Sequence, residues 1–157
     1  MIKIVDILDP KCIKLEMEST KKKDAIAELL NLLLSAGKIE ASQVEPLLKE
    51  LLDREKVSST GIGFGVAIPH KIVEKFNQTV MAFGRKKGGI SFDSIDGKPV
   101  SLIFLVLGPG ENNTDHLKLL SKLARILQEP SFREALRNAE TPGQILTEIL
   151  RRENECA

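Results

Sequence analysis

Val100-Ser101-Leu102-Ile103-Phe104-Leu105-Val106-Leu107 is an almost unbroken apolar run, rich in branched side chains and closed by Gly108-Pro109-Gly110. A strand with one wet face alternates apolar and polar residues, so a run without alternation predicts a central strand buried on both faces. Such a strand needs helices above and below it, and the flanking sequence supplies them. Beyond the glycines, Asn112, Asn113 and Thr114 are cap residues for a helix running to about Gln128, where Pro130 stops it. Two shorter helices are predicted over Ser131 to Asn138 and Thr141 to Arg152, the second with Pro142 in its first turn.

Upstream, Cys12 to Met17 reads as a short strand, and Ser19 or Thr20 caps a helix that ends near Ala36, before Gly37. In that helix Ala25, Ile26, Leu29, Leu30 and Leu33 recur at helical spacing and form one apolar face. Lys21, Lys22 and Lys23 sit at its positive dipole end, which marks them as a solvated basic turn or a docking patch. Ser42 and Glu45 have capping-box spacing and open a second helix, with Pro46 in its first turn and its end near Arg54 and Glu55. Shorter strands are expected at Val66 to Ile68 and Thr79 to Phe83, with a turn at Lys86-Lys87-Gly88-Gly89. This order of elements predicts a three-layer α/β/α sandwich with a mixed central sheet of four to five strands, forming a single domain over residues 1–157.

Charge excludes several classes of partner. Lys and Arg number 23 against 22 Asp and Glu, so no global field draws the chain to nucleic acid or anionic lipid, and partners must act through local patches. Basic clusters occur at 21–23 and 85–87, but with no Tyr or Trp to stack on bases they do not make a nucleic-acid surface. The apolar runs are too short to span a bilayer, and the N-terminus carries acids where an export signal would be apolar, so the expectation is a cytoplasmic protein without direct membrane insertion. Cys12 and Cys156 lack any zinc or redox spacing and read as reduced thiols.

Chemistry concentrates in Arg54-Glu55-Lys56-Val57-Ser58-Ser59-Thr60-Gly61-Ile62-Gly63-Phe64-Gly65-Val66-Ala67-Ile68-Pro69-His70. The chain has two histidines, His70 and His116, and each lies just past the carboxyl end of a predicted strand, where open α/β sheets form their ligand sites. His116 is in helical register with Leu120, Leu123, Ala124 and Leu127, so it faces the sheet. A neutral imidazole at His70 can attack phosphorus, and the phosphoryl group in flight needs donors around it. His116, in a first helical turn, is the neutral donor; Arg54 is the planar charge stabiliser; Ser59, Thr60 and Gly61 bind phosphoryl oxygens; Glu55 orients Arg54. No cofactor is called for. A zinc site would need Glu55 or Asp115 as third ligand, and neither has helical ligand spacing with a histidine.

Taken together, Glu55, Gly63, Ala67, Ile68, Pro69 and His70 resemble the signature of the mannitol/fructose type of enzyme IIA domain of the bacterial phosphoenolpyruvate phosphotransferase system. The likeness extends through Phe92-Asp93-Ser94-Ile95-Asp96-Gly97-Lys98-Pro99-Val100 and through His116-Leu117 opening a helix. The resemblance implies that His70 takes a phosphoryl group on Nε2 from a histidine phosphocarrier protein, with Arg54 and His116 in support. It is most like the free-standing nitrogen-regulatory form, which signals to a downstream regulatory target protein. Two other readings stand beside it: a sugar-transport enzyme IIA that passes phosphate to an enzyme IIB, and a binding module without transfer. Lys71 departs from the small residue usual after the active histidine, and is expected to tune docking as a cation beside the site.

Overall fold

A computed structural model describes residues 3–110 and 113–155. The elements in order are α1 (Ile4–Ile7), a 3-10 turn (Pro10–Cys12), β1 (Ile13–Lys14), α2 (Lys22–Ser35), α3 (Ala41–Val57), β2 (Gly61–Gly63), β3 (Val66–Ala67), β4 (His70–Val73), β5 (Val80–Ile90), β6 (Val100–Pro109), α4 (Asn113–Ile126), α5 (Pro130–Asn138) and α6 (Pro142–Glu155). The apolar run that predicted a central strand is β6, and Leu102 to Leu107 are buried without exception.

Sheet order is β1-β5-β6-β3-β2, with β4 also on β6. β5 is antiparallel to β6, β3 and β4 are parallel to it, β1 is parallel to β5 and β2 is antiparallel to β3, giving the expected mixed sheet. The pairs Val66 with Leu102 and His70 with Val106 keep one register, so β3 and β4 are a single line of chain interrupted at Ile68-Pro69. Proline has no amide for the ladder. Its carbonyl still accepts from Val106 N at 2.9 Å, which holds the two halves in line. Among the described residues six strands thus occupy five positions in the sheet.

Helices cover both faces, and two glycines show which. A Cβ at Gly84 would meet Leu29 Cδ2 of α2 at 2.9 Å, and one at Gly108 would meet His116 Cγ of α4 at 2.6 Å. Gly84 pairs with Ile103, five residues before Gly108, so period-two alternation along β6 puts α2 and α4 on opposite faces. Phe83 and Phe104 fill the core between paired strands, with ring centroids 4.7 Å apart.

Several expectations from sequence need correction. The first strand shrinks to Ile13–Lys14, because Pro10 starts a 3-10 turn. α2 begins at Lys22 rather than after Ser19 or Thr20, since the Ser19 hydroxyl is bound to Glu28 at 2.6 Å instead of capping. The box that opens α3 is Glu40 with Gln43, whose Oε1 accepts from the Glu40 amide at 2.9 Å, and Pro46 lies inside the helix. That proline denies the Ser42 carbonyl its intrahelical amide. Lys86 to Gly89 lie within β5 where its register against β6 shifts, and Pro130 begins α5 instead of merely ending α4. The proposed cap Asn112 and the thiol of Cys156 lie outside the described residues; Cys12 is free and buried.

Candidate active site

His70 is the first residue of β4, immediately after the break in the strand line. Its Nδ1 lies 2.7 Å from the Ile68 carbonyl oxygen. A carbonyl only accepts, so Nδ1 carries the proton and the lone pair of the neutral ring is on Nε2. The bond two residues back along the chain therefore selects the tautomer without a carboxylate.

His70 pairs with Val106 across the ladder, so its side chain shares the face of Gly108 and hence of α4. There it meets His116, with ring centroids 6.4 Å apart and planes tilted by 51°. His116 is 2% exposed and its ring lies flat against Gly108, where any larger residue would displace it. Burial, with a smaller effect of His70 whenever that ring is protonated, holds its pKa below the usual histidine value. It is therefore neutral. Its Nδ1 is buried without a hydrogen-bond partner among the described residues. Burying an N–H with no acceptor is costlier than burying a bare lone pair, which assigns the proton to Nε2 and leaves a donor there.

The other residues predicted from the sequence divide by whether their donors are free. Arg54 is exposed near the end of α3, one turn beyond Glu50, and one guanidinium nitrogen donates to the Ser58 carbonyl at 2.9 Å. Its other donors have no partner among the described residues. Glu55 does not orient Arg54. It is buried and accepts from the Thr60 amide at 3.0 Å and from the Thr60 hydroxyl, and it pairs with Lys22 at 3.1 Å. The hydroxyls of Ser59 and Thr60 and the amides of Thr60 and Gly61 are likewise engaged inside the fold. Ser59 Oγ donates to the Phe92 carbonyl at 2.9 Å and accepts from the Gly61 amide at 3.0 Å. These residues shape the loop that leads to β3, and their hydroxyls are not open to a ligand.

Lys71 faces the other way. It pairs with Leu107 in the ladder, one position on from His70 and Val106, so it points to the α3 face, where its ammonium lies 3.5 Å from Glu50. The cation expected beside the site is on the opposite side of the strand and is partnered.

Three contributors were not read from the sequence. Gly108 looked like a turn glycine after an apolar run, although it is the seat of His116. Lys22 looked like one of three solvated lysines, although it neutralises Glu55 and lies 5.1 Å from the Phe92 ring centroid. The Ile68 carbonyl, which fixes the His70 tautomer, is a main-chain acceptor that no side-chain pattern marks. Among the described residues no three His, Cys, Asp or Glu side chains converge as a metal site, and no helix is long and apolar enough to cross a membrane.

The family model for the phosphoenolpyruvate-dependent sugar phosphotransferase system, EIIA 2, matches residues 6–152. The chain belongs to this family. As an EIIA component it is a phosphotransferase that works through a phosphohistidine. Its relatives divide by role at similar distance. A fructose-specific EIIA component of Haloferax volcanii is 38% identical over 141 residues, covering 88% of this chain and 90% of the relative. A nitrogen regulatory protein of Bradyrhizobium diazoefficiens is 35% identical over 147 residues, covering 94% of each. Against the fructose-specific EIIABC component of Bacillus subtilis, 37% identical, the match covers 92% of this EIIA chain and 22% of the relative.

Among solved structures, the nitrogen regulatory protein IIA-Ntr from Neisseria meningitidis superposes with a TM-score of 0.84 at 38% identity, over 93% of this chain and 98% of the other. Enzyme IIAMTL of Escherichia coli, solved in complex with phosphorylated enzyme IIBMTL, shares the fold at 21% identity, with a TM-score of 0.75 over 92% of this chain and 99% of that one.

Proposed function

We propose that this EIIA component takes a phosphoryl group on His70 Nε2 from the phosphohistidine of a histidine phosphocarrier protein and acts as a nitrogen-regulatory signalling component. The carrying observation is the bond from His70 Nδ1 to the Ile68 carbonyl, which leaves Nε2 as the nucleophile beside a neutral His116. The Nε2 lone pair forms the new N–P bond while the donor's N–P bond breaks and returns its electron pair to the donor ring. The proton on Nδ1 stays where it is. Charge on the oxygens of the phosphoryl group in flight is met by the Nε2–H of His116, and we assign Arg54, whose guanidinium has donors without a partner among the described residues, the role of reaching those oxygens from the end of α3. Thr60 and Glu55 fix the loop that follows α3, and Lys22 ties that carboxylate to α2.

Support for the regulatory role is the likeness to the Neisseria meningitidis protein. A sugar-transport role, with transfer onward to the cysteine of an enzyme IIB, is favoured instead by the 38% identity to the Haloferax volcanii protein.

Mass spectrometry at neutral or basic pH, after incubation with phosphoenolpyruvate, enzyme I and a phosphocarrier, tests the chemistry beside a His70→Ala control. One acid-labile phosphoryl group, absent from the control, is the expected result; its absence with every cognate phosphocarrier overturns the carrier reading. Adding a fructose-class enzyme IIB then separates the roles. Rapid loss of the label to that subunit supports transport, and retention supports regulation.

A further inference from the structure

At the opposite end of the sheet from His70, Gly63, Phe64 and Gly65 all have positive φ, at 94°, 60° and 77°. Glycine adopts such angles freely, whereas a bulky aromatic does so only under strain. Phe64 is nevertheless 53% exposed, so its ring adds little to the core in return. Its conformation is imposed from α5. Arg137 donates to the Phe64 carbonyl at 2.8 Å and to Ser101 Oγ at 3.1 Å, and the Arg133 guanidinium lies 4.6 Å from the ring centroid. A strained, exposed ring held in place by two arginines points to function rather than to folding.

The ring borders a hollow of about 650 Å³ whose apolar lining includes Ile62, Ile95 and Pro99, with Ile95 79% exposed. Lys87 and Lys98 stand exposed on its rim and form no ion pair among the described residues. Among the described residues one carboxylate lines it, Asp96, and that side chain accepts from the Lys98 amide at 3.1 Å. The hollow is therefore apolar inside and cationic at the edge. It adjoins the first residue of β6, whereas His116 packs on Gly108 near that strand's far end, so the two lie roughly 25 Å apart at the rise of an extended strand.

We propose that this hollow is a second docking surface, which takes an acidic segment of a partner protein by seating one apolar side chain against Phe64 and Ile95 between Lys87 and Lys98. Charge complementarity selects the occupant. A second copy of the chain meeting this face with its own would set lysine against lysine, and a flat lipid surface offers nothing to fill a concavity. The distance from His70 lets such a partner stay bound while a phosphocarrier occupies the catalytic face, so this surface anchors independently of the phosphoryl group.

A random-peptide display library selected on the full chain, counter-selected with Phe64→Asn and with Lys98→Glu, tests it. Asparagine tolerates φ near +60° and Lys98 is exposed, so both variants should fold and should accept phosphate at His70 at the wild-type rate. Enriched peptides are expected to carry carboxylates flanking an apolar residue and to shift amide resonances of 62–65, 87–89 and 95–99. Each variant should weaken them by about ten-fold or more, and added salt should weaken them further. Peptides without carboxylates, or shifts centred on His70 and His116, overturn the proposal. So do Phe64-dependent dimers in sedimentation, which assign the face to a second copy, and Phe64-dependent binding to phosphatidylglycerol vesicles, which assigns it to a membrane. Phosphorylation of His70 is read separately in the same samples, so failure of docking and failure of phosphoryl transfer are told apart.

Discussion

Gly108→Ala should slow phosphoryl transfer without replacing a titratable group. The backbone at 108 has no positive φ, so alanine is admissible there, and β6 should still form. The added methyl would stand 2.6 Å from Cγ and 2.7 Å from Cε1 of His116. Ordinary carbon contacts begin near 3.4 Å, so the imidazole must retreat by about 1 Å. α4 cannot yield as a whole, because Leu119, Leu123 and Ile126 are buried with it. A displacement of about 1 Å at a group that must meet reacting oxygens is worth on the order of 100-fold in rate, near 3 kcal/mol of transition-state stabilisation. Overpacking should also lower stability by about 1–3 kcal/mol. Rapid-quench phosphorylation of His70 by a charged phosphocarrier measures the first quantity and urea unfolding the second. Gly88→Ala, where no atom lies within 4 Å of the added methyl, is the matched control. A folded Gly108→Ala protein that accepts phosphate at the wild-type rate would show that the position of His116 is immaterial to transfer.

Arg54→Lys should slow the same reaction by about 10- to 100-fold while changing stability by less than about 0.5 kcal/mol, because the side chain is exposed and lysine lacks the planar fork; a large stability change in urea would mean that Arg54 is structural. Glu55→Ala strands Lys22 and two Thr60 donors and should cost roughly 2–4 kcal/mol, with Glu55→Gln in between, and thermal unfolding that leaves both variants near wild type would contradict the tie between α2, α3 and the loop. His116 has a depressed pKa in the fold, so the unfolded chain takes up a proton near pH 6.5 that the folded chain refuses; stability should fall as pH drops through 6.5, and His116→Gln should remove that slope in a pH series of urea curves. Burial pushes Glu28 up, but the Ser19 hydroxyl, the Glu18 amide, Lys14 and the Ser19 amide outweigh it and hold it at about 2. Its contribution is complete above pH 4.5 and lost as pH falls toward 2, and Glu28→Gln should be less stable at pH 7 by on the order of 2–3 kcal/mol, with the gap closing in acid.

What the sequence revealed follows from where its signals are local. The run at 100–107 reports its own burial, and the spacing of His116 with Leu120 and Leu123 reports a helix face, so the central strand and the buried histidine were readable. Helix starts were less so. Ser19 and Ser42 are good caps in isolation, but Ser19 is drawn away by Glu28, which lies within α2, and Glu40 with Gln43 forms its box ahead of Ser42. Within the site, types were legible and partners were not. Glu55 stands next to Arg54 in sequence, yet neighbours on a helix point about 100° apart, and its partners come from α2 and from five residues downstream. Lys71 next to His70 fails as a site cation for the analogous reason in a strand, where neighbours face opposite sides.

The carbonyl of Ile68 has a consequence for the reverse reaction. A ring phosphorylated on Nε2 that keeps its Nδ1 proton bears a positive charge, and a cationic imidazole is a far better leaving group than a neutral one deprived of that proton. A carbonyl oxygen can hold the proton in place but cannot remove it. The same bond that aims the ring for attack thus keeps the loaded form labile, and a phosphoryl group that arrives easily also departs easily. Reversibility, which a relay needs more than it needs affinity, is written into the backbone at the point where Pro69 breaks the strand.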